Sequence, residues 1–317
     1  MTHWKPTATI ETLKQRAIIV RKIRQFFYDS DVLEVETPLL SHATATDPYI
    51  HSFKVGDGDE ALYLQTSPEY AMKRLLAACS GSIFQICKAF RKEEQGQYHQ
   101  SEFTMLEWYR LGFSHHDLME NVIKLVMTIL GKCEVFRYSY AELFQEYCGL
   151  NPHTILIDDL KVQTKKLLKS KIHGLELNER DLLLQLLLTE IIEPQLSQKE
   201  LVVIYDFPVS QAALAKIRQD TPPVAERFEA YFHGIELANG FHELQDAEEQ
   251  KVRFQKDLDK RQALDYSQLP IDERLLGALK HGLPKCSGVA LGVDRLVMAA
   301  LKKQHIHDVI TFPMDEA

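Results

Sequence analysis

Residues 90–110 read FRKEEQGQYHQSEFTMLEWYR, and five of them carry side chains that could do chemistry together: Arg91, Glu93, Phe103, Glu107 and Tyr109. An arginine offers a planar fork suited to phosphate or carboxylate oxygens, and a phenylalanine offers a flat surface for a base. Glutamate paired with tyrosine suits an amine. Those are the needs of a site that holds a nucleotide and an amino acid at once. A solvated face laced with salt bridges is the competing reading of the same residues.

The elements that must position these groups follow from periodicity. SIFQICKAF and SEFTMLEWY read as strands joined by the polar, glycine-containing EEQGQYHQ, a hairpin over 82–110. Strand side chains alternate faces, so Arg91 and Glu93 are expected on one face of the first strand. Phe103, Met105, Glu107 and Tyr109 share a face of the second. Apolar positions at helical spacing predict a helix from Ile10 to Phe27, and VLEVETPLL (32–40) reads as a strand ending at Pro38. A helix over 116–130 comes next. Residues 131–200 read as mainly helical, clearest in ERDLLLQLLLTEII before Pro194, with no catalytic pattern. LVVIYDFP (201–208) is a buried-looking strand, RFEAYFHGIELANGFHEL (227–244) a strand pair, and AEEQKVRFQKDLDKRQAL (247–264) a charged helix. CSGVALGVDRLVMAALKK is a strand running into a helix. Strands joined by hairpins, with helices at either end, predict a mostly antiparallel α+β fold.

The 317 residues are expected to form a single domain with a helical insertion at about 131–200. At 45% hydrophobic and 26% charged the chain has an ordinary globular composition, and its net charge of -8 argues against broad attraction to nucleic acid. Its five cysteines lie far apart with no C-x-x-C pair, which predicts scattered core thiols in a reducing setting. The start MTHWKPTATI lacks a signal-peptide pattern, and no segment has the length of a spanning helix. A cytoplasmic location without membrane attachment is expected.

Three separated segments resemble the three signature motifs of class II aminoacyl-tRNA synthetases. FFYDSDVLEVETPLL (26–40) is similar to the first, FRKEEQGQYHQSEF to the second, and GVALGVDRLVMAAL (288–301) to the third. TSPEYAMKRLL, EFTMLEWY, NGFHELQDAEEQ and DVITFP are similar to segments of the lysyl branch. The resemblance covers essentially the whole chain. It implies a six- to seven-stranded, mostly antiparallel sheet flanked by helices, and a homodimer formed through the first motif. Because that motif begins near residue 26, no N-terminal OB-fold barrel for reading an anticodon is expected. The chain thus resembles the stand-alone lysyl-type cores of the family. For these the implied reaction activates (R)-β-lysine, or less well lysine, with ATP and Mg²⁺, and transfers it to a lysine ε-amine of translation elongation factor P.

By match to the family's motifs, Arg91 is expected on the α-phosphate and substrate carboxylate, and Arg295 near the γ-phosphate; these two are the catalytic candidates. Glu93 would meet the adenine amino group and Phe103 would stack on the ring. His99, Gln100, Leu237 and Gly292 complete the ATP set, with Gln100 standing where relatives commonly have Asn. Glu229 and Glu236 match the carboxylates that hold Mg²⁺, and Glu236 also belongs to the ATP set. Ser67 and Glu69 are expected at the amino group near the substrate carboxylate. Tyr109 and Glu243 are expected at the ε-amino group, supported by Asn239 and Glu107. Ala290 stands where lysyl-tRNA synthetases usually have glycine, and its methyl is a candidate for selecting β-lysine. Rival readings are a minimal tRNA-charging enzyme, without stable tRNA binding expected here, a non-catalytic paralogue, and amide synthesis on ammonia.

Overall fold

The computed structural model describes residues 4–169, 179–314 and 316. Two compact units form, one from the chain up to Phe113 with Lys124–Gly131 and Gln245 onward, the other from Ser114–Ile123 and Lys132–Leu244.

In the first unit the predicted hairpin is present as antiparallel strands Ile83–Phe90 and Glu102–Leu111, in register from Ile83 opposite Tyr109 to Phe90 opposite Glu102. The strand Cys286–Gly292 pairs antiparallel on its far side, placing Ala290 opposite Glu107 and Gly288 opposite Tyr109. It leads directly into the helix Val293–Leu301. The opening helix spans Ile10–Tyr28, started by Thr9, whose hydroxyl accepts from the Thr12 amide.

The expected strand over 32–40 is reduced to Leu33–Glu34, parallel to Ile83–Phe84, and the separate Leu40–Ser41. Pro38 lacks an amide donor for a ladder, and beside it the Thr37 hydroxyl donates to the Gln85 side chain at 3.0 Å. Phe254, Met72, Leu76, Leu275 and Leu279 form an apolar cluster against Ile83 and Tyr109. It joins the helices Glu69–Ala77, Ala247–Ala263 and Glu273–Gly282 to the sheet.

In the second unit, Val224–Phe232 and Ile235–His242 form an antiparallel hairpin with an irregularity between Ala230 and Tyr231. Leu201–Phe207 pairs antiparallel with the first of these strands and parallel with Val135–Ser139. Leucines of Arg180–Leu187, with Tyr140, Phe144, Val202 and Ile204, make its core. The leucine-rich stretch does not stop at Pro194. After Leu187 it widens into a π turn over Leu188–Ile192 and resumes as Glu193–Leu196, where Pro194 sits in a first turn that needs no amide from it. The expected insertion at 131–200 therefore contains the Val135–Ser139 strand as well as helices, and residues 170–178 of it lie outside the described residues.

All five cysteines are free, but they are not all core residues: Cys148 and Cys286 are buried, Cys87 and Cys133 half-buried, and Cys79 exposed. Among the described residues no helix is long and apolar enough to cross a membrane.

Candidate active site

Glu107 is the hub of the first unit's site. It is 2% exposed, and Tyr109 Oη donates to its Oε1 at 2.7 Å while Ser67 Oγ donates to its Oε2 at 2.6 Å. The alternation expected of Glu102–Leu111 explains the pairing of Glu107 with Tyr109, since residues two apart share a face. Ser67 arrives from another direction: its hydroxyl accepts the Glu69 amide at 3.0 Å, where the helix Glu69–Ala77 begins. Ser67 and Tyr109, expected at opposite ends of a substrate, thus meet on one carboxylate. Ala290, directly across the ladder, puts its methyl on the same face, since opposed Cβ atoms of an antiparallel pair lie about 4.5–5.5 Å apart. Glu69 itself is occupied, because the buried Lys73 one turn on donates to it at 2.6 Å. In the sequence the i, i+4 spacing from Glu69 is the only signal of Lys73.

The thiol of Cys87, on the neighbouring strand, is pushed up to about 12 by burial, with the Glu107 charge adding to it. It is therefore no nucleophile at neutral pH.

The arginine side of the hairpin departs from the expected strand face. The strand ends at Phe90, and one further backbone bond, Arg91 N–H to the Ser101 carbonyl at 2.9 Å, carries the pairing to Arg91. Glu93 lies beyond it in the turn, exposed, with φ of 71°. The two do not share a strand face, because the chain has left extended geometry before Glu93. Arg91 lies over the Phe103 ring (5.2 Å to its centre), with Glu94 at 3.4 Å and the Thr66 carbonyl within reach of Nε at 3.4 Å.

On the third-motif helix, Arg295 Nε donates to the Tyr98 carbonyl at 3.1 Å, and its guanidinium meets His99 Nε2 at 2.7 Å. The second-motif loop and the third-motif arginine are thereby brought together. Gln100 is buried and reaches His307 at 3.2 Å, beside a cavity of about 240 Å³ lined by Gln95, Gly96, Gln97, Gln100, His305 and His307. Gly292 ends the strand one turn before Arg295, and a side chain there would touch the Arg295 stem.

The second unit carries the remaining candidates on its hairpin. Glu229 is opposite Asn239 in the ladder, and Glu236 is opposite Tyr231. Glu229 is 7% exposed; Arg227 pairs with it, and Tyr231 Oη donates to it at 2.5 Å. Arg227 also reaches Asn239 Oδ1 at 3.2 Å and lies over Phe207. Burial raises the Glu229 carboxyl above its usual range, Arg227 works against this, and the Glu236 charge adds to the rise. Two oxygen donors whose charges oppose each other in a desolvated place fit a small divalent cation such as Mg²⁺. Leu237 and Glu243 are buried, and Glu243 bridges to Ala215 just past the strand end. Arg227 and Tyr231 were not singled out from sequence; their spacing of two from Glu229 on a strand was the available signal.

A class is defined by these features: an arginine-bearing hairpin, a glycine-ended strand entering an arginine helix, and an acidic strand pair. The family model for class II tRNA synthetases (D, K and N) matches residues 2–316, and the chain belongs to that family. Among its relatives, the elongation factor P--(R)-β-lysine ligase of Vibrio atlanticus is 52% identical over 316 residues, 98% of each chain. The proteins so named from Vibrio cholerae and Pectobacterium carotovorum are 52% and 48% identical over 322 residues, covering 100% of this chain and 99% of their own.

Proposed function

We propose that this chain is an ATP-dependent ligase that activates (R)-β-lysine, and less well lysine, as an adenylate and joins it to a lysine ε-amine of elongation factor P. The observation that carries this is the buried Glu107 carboxylate held by Ser67 and Tyr109 on the second-motif strand. A carboxylate fixed there favours an ammonium group over a neutral side chain. Near-full-length identity to relatives bearing that name supports the acceptor.

In the first step a carboxylate oxygen of the amino acid attacks the α-phosphorus and pyrophosphate leaves. Arg91 neutralises charge on the α-phosphate and orients the carboxylate, Phe103 stacks on the adenine, and Arg295 with His99 holds the terminal phosphates. Glu93, Gln100, Leu237 and Gly292 complete the nucleotide contacts. Glu229 and Glu236 would hold Mg²⁺, which would supply further charge neutralisation for the phosphates. Glu69, Glu107, Tyr109, Asn239 and Glu243 select the amino groups. In the second step the acceptor amine attacks the acyl carbon and AMP leaves, so no enzyme nucleophile is needed. The high thiol pKa of Cys87 accords with that. The enzyme works in the cytoplasm as a homodimer without stable tRNA binding; exposed Tyr28, Leu33, Leu39 and Leu40 along the first-motif segment support a self-association face.

Pyrophosphate exchange dependent on β-lysine tests the reading. Glu107→Gln removes a charged hydrogen-bond acceptor worth about 1.5–3 kcal/mol, so exchange efficiency should fall roughly 10- to 150-fold. Exchange that is absent in the wild type, or unchanged in the variant, contradicts it.

A further inference from the structure

The second unit draws His115, Glu226 and His242 together, with ligand atoms all within 4.8 Å of one another. No other such trio of histidine, cysteine and carboxylate ligands occurs among the described residues. The three come from different elements. His115 opens the helix His115–Leu130, Glu226 lies on Val224–Phe232, and His242 ends Ile235–His242. Backbone bonds fix the two strand residues relative to each other, since Lys216 donates to the His242 carbonyl (2.8 Å) and accepts from the Glu226 amide (2.9 Å).

The ring orientations are those of a ligand set. His115 Nδ1 faces Glu226 Oε1 at 4.0 Å, while its Nε2 faces Asp206 Oδ1 at 3.4 Å. His242 Nδ1 is hydrogen-bonded to the other Glu226 oxygen, a contact that an ion between them would replace. His115 is 1% exposed, and neither ring nitrogen has a hydrogen bond of normal geometry. The Asp206 carboxylate is the near partner of this buried imidazole, which leaves Nδ1 directed at Glu226. A carboxylate on the far nitrogen is the usual support of a metal-bound histidine, since it fixes the tautomer and makes the near nitrogen more basic. Arg218 is held by Asp206 (2.6 Å) and Asp220 (2.8 Å), and stands 3.7 Å from Glu226. Its charge is largely taken up by the two aspartates.

We infer that His115 Nδ1, the Glu226 carboxylate and His242 Nδ1 form a Zn²⁺ site, with Asp206 orienting His115 from behind. Two imidazoles and one carboxylate suit zinc rather than Mg²⁺, and leave a fourth position for water. Ligand bonds of about 2.0–2.2 Å put tetrahedral donors roughly 3.3 Å apart, so His115 Nδ1 would move toward Glu226 from 4.0 Å while His242 and Glu226 would give up their direct contact. The ion would tie the start of the helix to both strands of the hairpin that bears Glu229, Glu236 and Asn239.

The test uses the full chain, stripped with chelator and then titrated with Zn²⁺, or with Co²⁺ as an optical probe, in excess Mg²⁺ to occupy oxygen-only sites. One equivalent should bind, and the Co²⁺ form should show the intense visible bands of tetrahedral nitrogen and oxygen coordination. His115→Gln and His242→Gln should abolish both signals, and Asp206→Asn should weaken binding about 10- to 100-fold. The wild-type spectrum needs no variant, so a folding defect in a substituted protein does not obscure the answer. Absence of Zn²⁺ uptake and of Co²⁺ bands in the wild type, or binding that survives both histidine substitutions, overturns the site.

Discussion

Under the proposed function, the Ala290 methyl is the group that would shape the substrate pocket. It faces Glu107 across the ladder, where the lysyl branch resembled in sequence usually has glycine. Ala290→Gly opens space beside the carboxylate and should move preference toward α-lysine. One methyl-sized change in a pocket is worth about 1–3 kcal/mol, so the ratio of activation rates should shift roughly 10-fold or more. An unchanged ratio for the two amino acids would show that selection lies elsewhere. Glu229 makes a different prediction. Its carboxyl is raised by burial, so its protonated form favours the folded state; that contribution is full below the unfolded value and is lost as pH rises through the higher folded one. At neutral pH without metal, Glu229→Gln should therefore melt at or above the wild-type temperature while losing Mg²⁺-dependent activation. A clear fall in melting temperature would mean that pairing with Arg227 outweighs the burial cost.

Among the elements, the helix Ala247–Ala263 steadies the arginine turn from outside. Thr46 Oγ1 donates to Asp257 on this helix at 2.7 Å, and Arg261 reaches the Asp47 carbonyl at 3.1 Å. The same loop runs to His51, whose carbonyl accepts from the amide of Lys92, next to Arg91, at 2.7 Å. Burial raises Asp257 to about 6, with Asp47 adding to the rise. Asp257→Asn keeps an acceptor for Thr46 and removes the buried charge. It should stabilise the protein by about 1–2 kcal/mol at pH 7 after allowance for solvent screening. The gain should shrink as pH falls below about 6 and vanish toward pH 3, where the wild-type carboxyl is protonated in both states. A denaturant midpoint that does not differ between the two proteins at pH 7 would count against it.

The hairpin, the glycine-ended strand and most helices were legible in sequence because strict alternation or helical spacing marks a buried face. The 32–40 segment was not, since its alternating residues run into Pro38, which has no amide to give a ladder. Glu93 was misplaced because parity was carried past the point where the strand ends. Lys73 and Arg227 were invisible as partners because what makes them matter is burial against a particular carboxylate, which no local pattern reports.

For the whole molecule, the account rests on acceptor choice, since ATP use alone is common to the family. Purified protein is incubated with ATP, Mg²⁺ and either β-lysine or lysine, with elongation factor P and bulk tRNA offered in parallel, and the acceptor protein is weighed by intact mass. A gain of one lysyl residue on elongation factor P, greater with β-lysine and accompanied by uncharged tRNA, is the predicted result. Charged tRNA with unmodified elongation factor P would contradict the account and make the chain a minimal synthetase.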